Sequence, residues 1–494
     1  MEAIKSTVAR TRLVNVKIVL QIIGKLLIGL SMGMCLPLIM TYAYQEGNWA
    51  AFLYPALFTF GVGFFLSKIF ASNDEMSARE GFAIVASVWV VFTIFGALPY
   101  YFCDSGHTYT DAFFQTISGF TTTGSSVFVD IESHSKSILF WGAITQWIGG
   151  MGIIVLSLAI LPVLGIGGMQ LFQAEVPGPV SDKLTPRIKD TAKILYQVYI
   201  FLTVIQCLLL WLAGMDLYSA VCHSLTTLSS GGFSPHNASL AHYDNSLIHG
   251  IVIVFMIFAG MNFSLHYRFS RWQFEAMFKD TEFQCYLGFI ALMTAILVAY
   301  LMGFGTYDNL FLCIRDALFS TVSLITTTGF ATADFEQWPE FCQAILFALF
   351  FAGGCAGSTG GGVKIIRWII FTKFAYQQIN QLLHPKAILN LKVSEQMVKD
   401  NVTKGVLGFL VIYVLSFGLG TILMALTGLD LLTAAAATAT CLGNIGPGLA
   451  KVGPTDNFAA ISDIGKWILS FLMLLGRLEL FTVLVLFTPA FWRD

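Results

Sequence analysis

The sequence predicts an all-α membrane protein: two N-terminal helices, then four pseudo-fourfold repeats of span, re-entrant helix and span. Three observations predict it. The 494 residues are 56% hydrophobic and only 11% charged, where soluble domains carry about 25% charged residues. Apolar runs of spanning length fall near 18–43, 49–70, 81–103, 138–164, 194–214, 247–266, 285–303, 341–372 (interrupted), 405–427 and 465–489, which makes ten. Between the later spans, one short polar-ended segment returns four times.

That segment is plainest at Asp111–Gly124, DAFFQTISGFTTTG. Asp111-Ala112 precedes Gly124 by thirteen residues, as Ser219-Ala220 precedes Gly232, Asp316-Ala317 precedes Gly329 and Thr433-Ala434 precedes Gly446. Asp, Ser and Thr carry side-chain oxygens that satisfy unpaired N–H groups at a helix start, so these residues are expected as N-caps. Glycine at the far end tolerates positive φ or a sharp return. Roughly eleven helical residues rise about 16 Å, half of a ~30 Å hydrocarbon core. The four are therefore helices too short to span, each ending in a polar loop. The chain divides into an N-terminal region, 1–80, and repeats at 81–180, 181–281, 282–400 and 401–494.

Lys and Arg concentrate on cytoplasmic loops. Lys5, Arg10, Arg12 and Lys17 precede the first span, and Lys68 and Arg79 follow the second. Lys183, Arg187, Lys189 and Lys193 join the first two repeats, Arg268, Arg271 and Lys279 the next two, and Lys373, Lys386, Lys392, Lys399 and Lys404 the last two. The connections carrying short helices hold few, such as Lys136 and Lys451. Both termini are then cytoplasmic and the four loops enter from outside.

Irregular backbone at membrane depth survives only when buried in protein or lining a wet cavity. Four such loops satisfy each other around one axis. Inward-pointing short helices aim their C-terminal partial negative charge at the cavity below. The carbonyls of Thr122, Thr123, Ser230, Gly231, Thr327, Thr328, Asn444 and Ile445 can then replace the hydration shell of an alkali cation; an anion is repelled. A single Thr-Gly turn would mean nothing, but four at identical spacing in a membrane context do.

The span after each loop carries its own echo: Gly149-Gly150, Gly260, Gly353-Gly354 and Gly476 lie 25, 28, 24 and 30 residues beyond the loop glycines. In the third repeat that span is interrupted by Gly353-Gly354-Cys355-Ala356-Gly357-Ser358-Thr359-Gly360-Gly361-Gly362. Each glycine costs a helix roughly 1 kcal/mol against alanine, so an intramembrane loop fits better than a helix. Beneath the other loops it can obstruct passage and move to open it; close helix packing at small residues is the competing account. The run ends in Val363-Lys364 but lacks the G-x-x-x-x-G-K-[ST] order of a phosphate loop. Arg477 stands about twelve residues from either end of the final span, too deep to snorkel. An intramembrane charge is a functional candidate, either an electrostatic barrier in the path or one member of a structural ion pair. Glu479 is two residues away and on a helix would not face it. Asp111 and Asp316 are architecture first and outer-mouth negative potential second. His223 and Cys441 are packing residues.

Other classes find little support. A net charge of −2 gives no hint of nucleic-acid binding. The nine cysteines form no CxxC pair and no alternation with His, so neither a disulfide framework nor a zinc site is indicated. No cleavable signal peptide is evident, and no Ser/His/Asp, Cys/His or metal-ligand cluster points to a membrane enzyme. A coupled carrier would be expected to bring paired membrane carboxylates or histidines for proton relay, and the spans offer little beyond Glu479.

At TTTG 121–124, GGMGIIVL 149–156, LPVLGIGGMQLFQAEVPGP 161–179, GGFS 231–234, GGCAGSTGGG 353–362, NIGPG 444–448 and GRLELFTVLVLFTPAFWRD 476–494 the chain resembles the TrkH-type subunits of the Trk/Ktr/HKT potassium transporters. The resemblance runs over essentially the full length. It implies four units related to potassium-channel subunits. It implies a potassium filter at Thr122-Thr123-Gly124, Ser230-Gly231-Gly232, Thr327-Thr328-Gly329 and Asn444-Ile445-Gly446. It implies a gating loop at Gly353–Gly362, a pore-facing Arg477, a homodimer in the inner membrane, and a cytosolic nucleotide-binding ring of the TrkA type. It implies potassium as the transported ion, with no bound cofactor. In this family a Ser in place of the first filter glycine goes with sodium preference; here all four positions are Gly, which favours potassium. A potassium cotransporter (a symporter with protons or sodium) remains the alternative. The loops depart from the TVGYG of potassium channels and from each other, most at SSGG and GNIG.

Overall fold

The computed structural model describes residues 14–72, 78–103, 108–159, 188–273, 275, 278–386, 390–394 and 396–492. Lys5, Arg10, Arg12, Lys183 and Arg187, the 161–179 stretch, the end of the fourth expected span and the boundary at 180 lie outside the described residues.

Val16–Cys35 continues into Pro37–Ala43, and Ala50–Ile69 returns beside it. The two cross where Gly24 and Gly63 meet: a Cβ on Gly24 would stand 2.7 Å from the Gly63 carbonyl oxygen. Only glycine permits so close an approach. The first repeat follows, with Ala78–Gly96 and Leu98–Cys103 as one span, the short helix Tyr109–Phe120, and Lys136–Ala159. The second runs Ile188–Leu212, Leu217–Leu228, Ser246–Gly260 and Phe263–Ser270. The third is Thr281–Phe304, Leu310–Ile325, Glu340–Leu349 and Ile365–Leu383. The fourth is Asp400–Leu426, Leu431–Gly443, Asp463–Arg477 and Phe481–Leu484. A two-stranded hairpin, Lys392–Val393 with Gln396–Met397, links the last two repeats.

Seven helices among the described residues are long and apolar enough to cross a membrane, and two further pairs qualify together. The pair flanking the Gly-rich stretch takes the remaining place. The short helices hold 12, 12, 16 and 13 residues, about 18 to 24 Å at 1.5 Å per residue, too short to span. They are almost wholly buried along their C-terminal halves, and Trp141 locks the first repeat by donating its indole N–H to the Gly96 carbonyl at 3.0 Å.

Two expectations need correction. The N-cap is not the first residue of the thirteen-residue spacing. Thr108 caps the first short helix, with Asp111 three residues on closing the capping box. Asp216 and Asp430 cap the second and fourth, accepting from the N–H groups of Ser219 (2.9 Å) and Thr433 (3.1 Å). In the third, Asn309 caps and Asp316 lies inside the helix. The cap oxygen reaches the third helical N–H, so a polar residue there marks a helix start as readily as the cap does. The sixth and tenth spans are also not continuous: Ser246–Gly260 and Phe263–Phe269 meet at 107°, and Asp463–Arg477 and Phe481–Phe487 at 109°.

Candidate functional site

All four short helices end the same way. Thr122, Ser230, Thr327 and Asn444 take left-handed backbone, with φ of 50°, 56°, 56° and 53°. Their N–H groups bond back to Gly119, Thr227, Leu324 and Cys441, and the next N–H groups, of Thr123, Gly231, Thr328 and Ile445, to Ser118, Thr226, Ser323 and Thr440. This is the paired closure of a Schellman end, which ordinarily places Gly or Asn at the left-handed position. Two β-branched threonines there are genuine outliers. Backbone strain of this kind concentrates at functional sites.

Two residues further on, Gly124, Gly232, Gly329 and Gly446 are left-handed again, at φ 86°, 78°, 82° and 105°. Their packing closes a ring. A Cβ on Gly124 would drive into the carbonyl oxygen of Gly231, on Gly232 into that of Thr328, and on Gly329 into that of Ile445. On Gly446 it would stand 2.8 Å from the Thr123 oxygen. Each glycine lies against the residue preceding the glycine of the next repeat, in the order 1, 2, 3, 4 and back to 1. The sequence-predicted triplets are thus brought together. The four glycines open into one vestibule of about 140 Å³, also lined by Ser125, Phe233, His236 and Asp456. On the inner side, the Thr122 hydroxyl and the Asn444 Oδ1 are buried and have no protein hydrogen-bond partner.

The Gly-rich stretch lies against the inner face of this ring. Gly361 N–H donates to Thr327 Oγ1 at 2.6 Å. Thr359 Oγ1 lies 2.8 Å from Ser230 Oγ and donates to the Leu228 carbonyl at 2.9 Å. The same stretch is stitched to the break in the second repeat: Cys355 N–H donates to Gly260 O (2.8 Å) and Phe263 N–H to Gly357 O (3.1 Å). Lys364 Nζ donates to Gly360 O, and a Cβ on Gly353 or Gly362 would meet backbone of the stretch itself. A Cβ on Gly354 would stand 2.8 Å from Ser358 Oγ, and the Gly354 carbonyl accepts from Ile365 N–H at 3.2 Å. Its backbone groups are thus widely satisfied by the two repeats it touches, which membrane depth demands.

Two acidic residues hold this stretch from below. Glu282 Oε1, in a side chain only 2% exposed, accepts from Ala356 N–H at 2.7 Å and from Ile366 N–H at 3.1 Å, gripping both ends of the loop. Glu479 pairs with Arg367 at 2.5 Å, whose guanidinium lies 3.9 Å over the Phe409 ring. Arg477 is the last residue of its helix, 2% exposed. Its Nη1 donates to the Thr359 carbonyl at 2.8 Å, and Nη2 approaches Gly149 O at 3.5 Å. Groups from the first, third and fourth repeats meet there, which places the guanidinium between them.

The family of cation transport proteins typified by TrkH matches residues 58–493. The chain belongs to that family. It is 40% identical over 481 residues to the Trk system potassium uptake protein TrkH of Escherichia coli K12, covering 96% of this chain and 99% of that one. It is 35% identical over 487 residues to TrkG of the same strain, covering 97% and 99%. The crystal structure of the potassium transporter TrkH from Vibrio parahaemolyticus superposes with a TM-score of 0.90 at 37% identity, covering 97% of this chain and all of that one. The chain is thus an integral membrane transport protein of the TrkH family and not an enzyme.

Against that family fold, several expected residues take different parts. Asp111 pairs with Lys466 at 2.6 Å and Asp316 with Arg315 at 2.8 Å, so neither offers a free negative charge to the mouth. His223 donates its Nδ1–H to Ser219 O (2.8 Å), and its Nε2 lies 3.1 Å from Ser234 Oγ, tying its helix to the following loop. Gly149 and Gly476 let spans approach the ends of short helices, against the carbonyls of Phe120 and Leu442. For these two, close packing is the role. Glu282 escaped the sequence reading because it precedes its span by only a few residues and looked like a cytoplasmic charge. The nine cysteines form no disulfide.

Proposed function

We propose that the chain carries potassium inward across the cytoplasmic membrane of a bacterium, through a filter formed by the carbonyls of the ring. The observation that carries this reading is the closed ring itself. Alternating left-handed positions turn successive peptides so that Thr122-Thr123, Ser230-Gly231, Thr327-Thr328 and Asn444-Ile445 offer oxygens to one axis. Carbonyl rings of this kind replace the hydration shell of a cation. The short helices point their C-terminal partial charges the same way. The relatives named above as potassium uptake proteins support potassium as the ion, and glycine at all four ring positions supports potassium over sodium.

In this reading Gly353–Gly362 is the gate, held shut by Thr327, Ser230, Glu282 and Arg477, and Arg477 adds an electrostatic barrier. The carboxylates of buried Glu282 and half-buried Glu479 are already engaged by backbone N–H groups and Arg367, which favours a gated pore over a proton-coupled symporter. Basic residues flanking the spans support cytoplasmic termini. The Trk-system names of the relatives fit assembly as a homodimer on a cytosolic TrkA-type nucleotide-binding ring. Crystals soaked in rubidium test the filter: anomalous peaks on the axis between Thr122 and Gly124 support it, and peaks elsewhere alone refute it.

A further inference from the structure

Outside the ring, on the loops that follow the first two short helices, three side chains meet that the transport reading leaves unused. Glu132 comes from the first repeat, and His236 and His242 from the second. One ligand atom from each lies within 4.8 Å of the others. His236 Nδ1 faces Glu132 Oε1 at 3.4 Å. Its other nitrogen, Nε2, lies 3.0 Å from the Tyr243 hydroxyl and 3.2 Å from Ser219 Oγ. The Tyr243 hydroxyl donates to Asp216 Oδ1 at 3.3 Å, so its oxygen can accept from His236 when the proton is carried on Nε2. That tautomer puts a lone pair on Nδ1, pointed at a carboxylate oxygen. Two facing lone pairs call for a cation between them.

We propose that Glu132, His236 and His242 form an external binding site for a divalent transition metal of the zinc class. The donor set is two imidazoles and one carboxylate with a position left for water, which suits zinc and excludes potassium, a hard cation that takes oxygen rings. The hydrogen bond from Nε2–H onto Tyr243, backed by Asp216, is the outer support that metal-bound histidines use to fix their tautomer. Burial and the neighbouring His242 hold the His236 imidazole below its usual pKa range. His242 stacks on His236 with ring centroids 3.8 Å apart; binding a metal would require it to turn out of the stack, which its exposure permits. His236 also lines the vestibule into which the four ring glycines open. A bound dication there repels potassium at the entrance, because charge at a narrow mouth sets the local concentration of the permeating ion. This consequence rests on the proposed uptake function; the site does not.

Zinc binding to the purified full-length protein in detergent, measured by competition with a chromophoric chelator at pH 7.5, tests the site without any transport. The expected result is one zinc per chain, weakened about tenfold or more in both His236→Gln and His242→Gln. Equal binding in wild type and both variants, or none in wild type, overturns the site. Lowering the pH toward 5.5 must release the metal as protons displace it, with Glu132, Asp216, His223, His242 and Tyr243 the titratable groups around His236. Rubidium uptake with and without external zinc then tests its placement. The expected ratio falls several-fold in wild type and stays near one in His242→Gln. Zinc bound at these residues with no slowing of measurable uptake overturns the mouth assignment. Uptake absent even without zinc would count against the transport reading alone.

Discussion

Arg477 Nη1 donates to the carbonyl oxygen of Thr359 at 2.8 Å, so a buried cation from the fourth repeat fastens the Gly-rich stretch of the third. Thr359 in turn bonds Leu228 and Ser230 of the second. In the proposed pore, this contact would let one charge both obstruct the path and hold its gate.

Arg477→Ala removes that fastening. A hydrogen bond to a charged group contributes about 1.5–3 kcal/mol, and 1.4 kcal/mol is tenfold in an equilibrium. Potassium flux is expected to rise about tenfold in reconstituted vesicles. A fall in flux with the fold intact would assign Arg477 a structural role instead.

Glu282→Gln tests the grip from below. It keeps an oxygen for the Ala356 and Ile366 N–H groups but loses the charge, about half the bond strength. Flux should rise by less than in Arg477→Ala, and Glu282→Ala should exceed Glu282→Gln. Flux equal to wild type in both Glu282 variants would separate Glu282 from gating.

The ring predicts a graded series. Gly329→Ser puts a Cβ against the Ile445 carbonyl oxygen and 2.7 Å from Pro447 Cδ, at φ 82°. Gly446→Ser meets the Thr123 oxygen at 2.8 Å, the mildest of the four encounters. Discrimination of potassium against sodium, measured by competitive uptake, should weaken more in Gly329→Ser than in Gly446→Ser.

Much of this architecture was legible because it is periodic. Thirteen residues recur because in three repeats the spacing runs from the third helical residue to a ring glycine, and both ends have strong residue preferences; the third helix starts earlier, at Leu310, and carries Asp316 inside. The register of the caps was not legible, since Thr108, Asp216, Asn309 and Asp430 share no single type. The breaks after Gly260 and Arg477 were hidden in unbroken hydropathy. Asn262, which caps the second half by accepting from Ser264 N–H at 2.9 Å, was the available sign. The partners of Asp111, Asp316 and Glu479 are 355, 1 and 112 residues away in sequence, and only folding brings the distant ones together. The ring order, with each glycine against the next repeat, is likewise a property of assembly.

Thr122→Val separates folding from ion binding. The Thr122 hydroxyl has no protein partner, so its loss should change stability by less than about 0.5 kcal/mol while weakening rubidium binding. Thr123→Val, which loses contacts to Thr121 Oγ1 (2.8 Å) and Asn444 Nδ2 (2.9 Å), should lower the thermal midpoint as well. Equal midpoints and equal binding in both variants would remove these hydroxyls from the account.

The central claim is passive, selective passage through the ring. Rubidium uptake into liposomes holding the purified protein, under an imposed potassium gradient and with sodium or choline as competitor, tests it most directly. Uptake driven by the gradient alone, blocked by potassium and little affected by sodium, is the predicted result. Uptake that appears only when a proton or sodium gradient is supplied would contradict it, and would make the Gly-rich stretch a moving part of a coupled carrier.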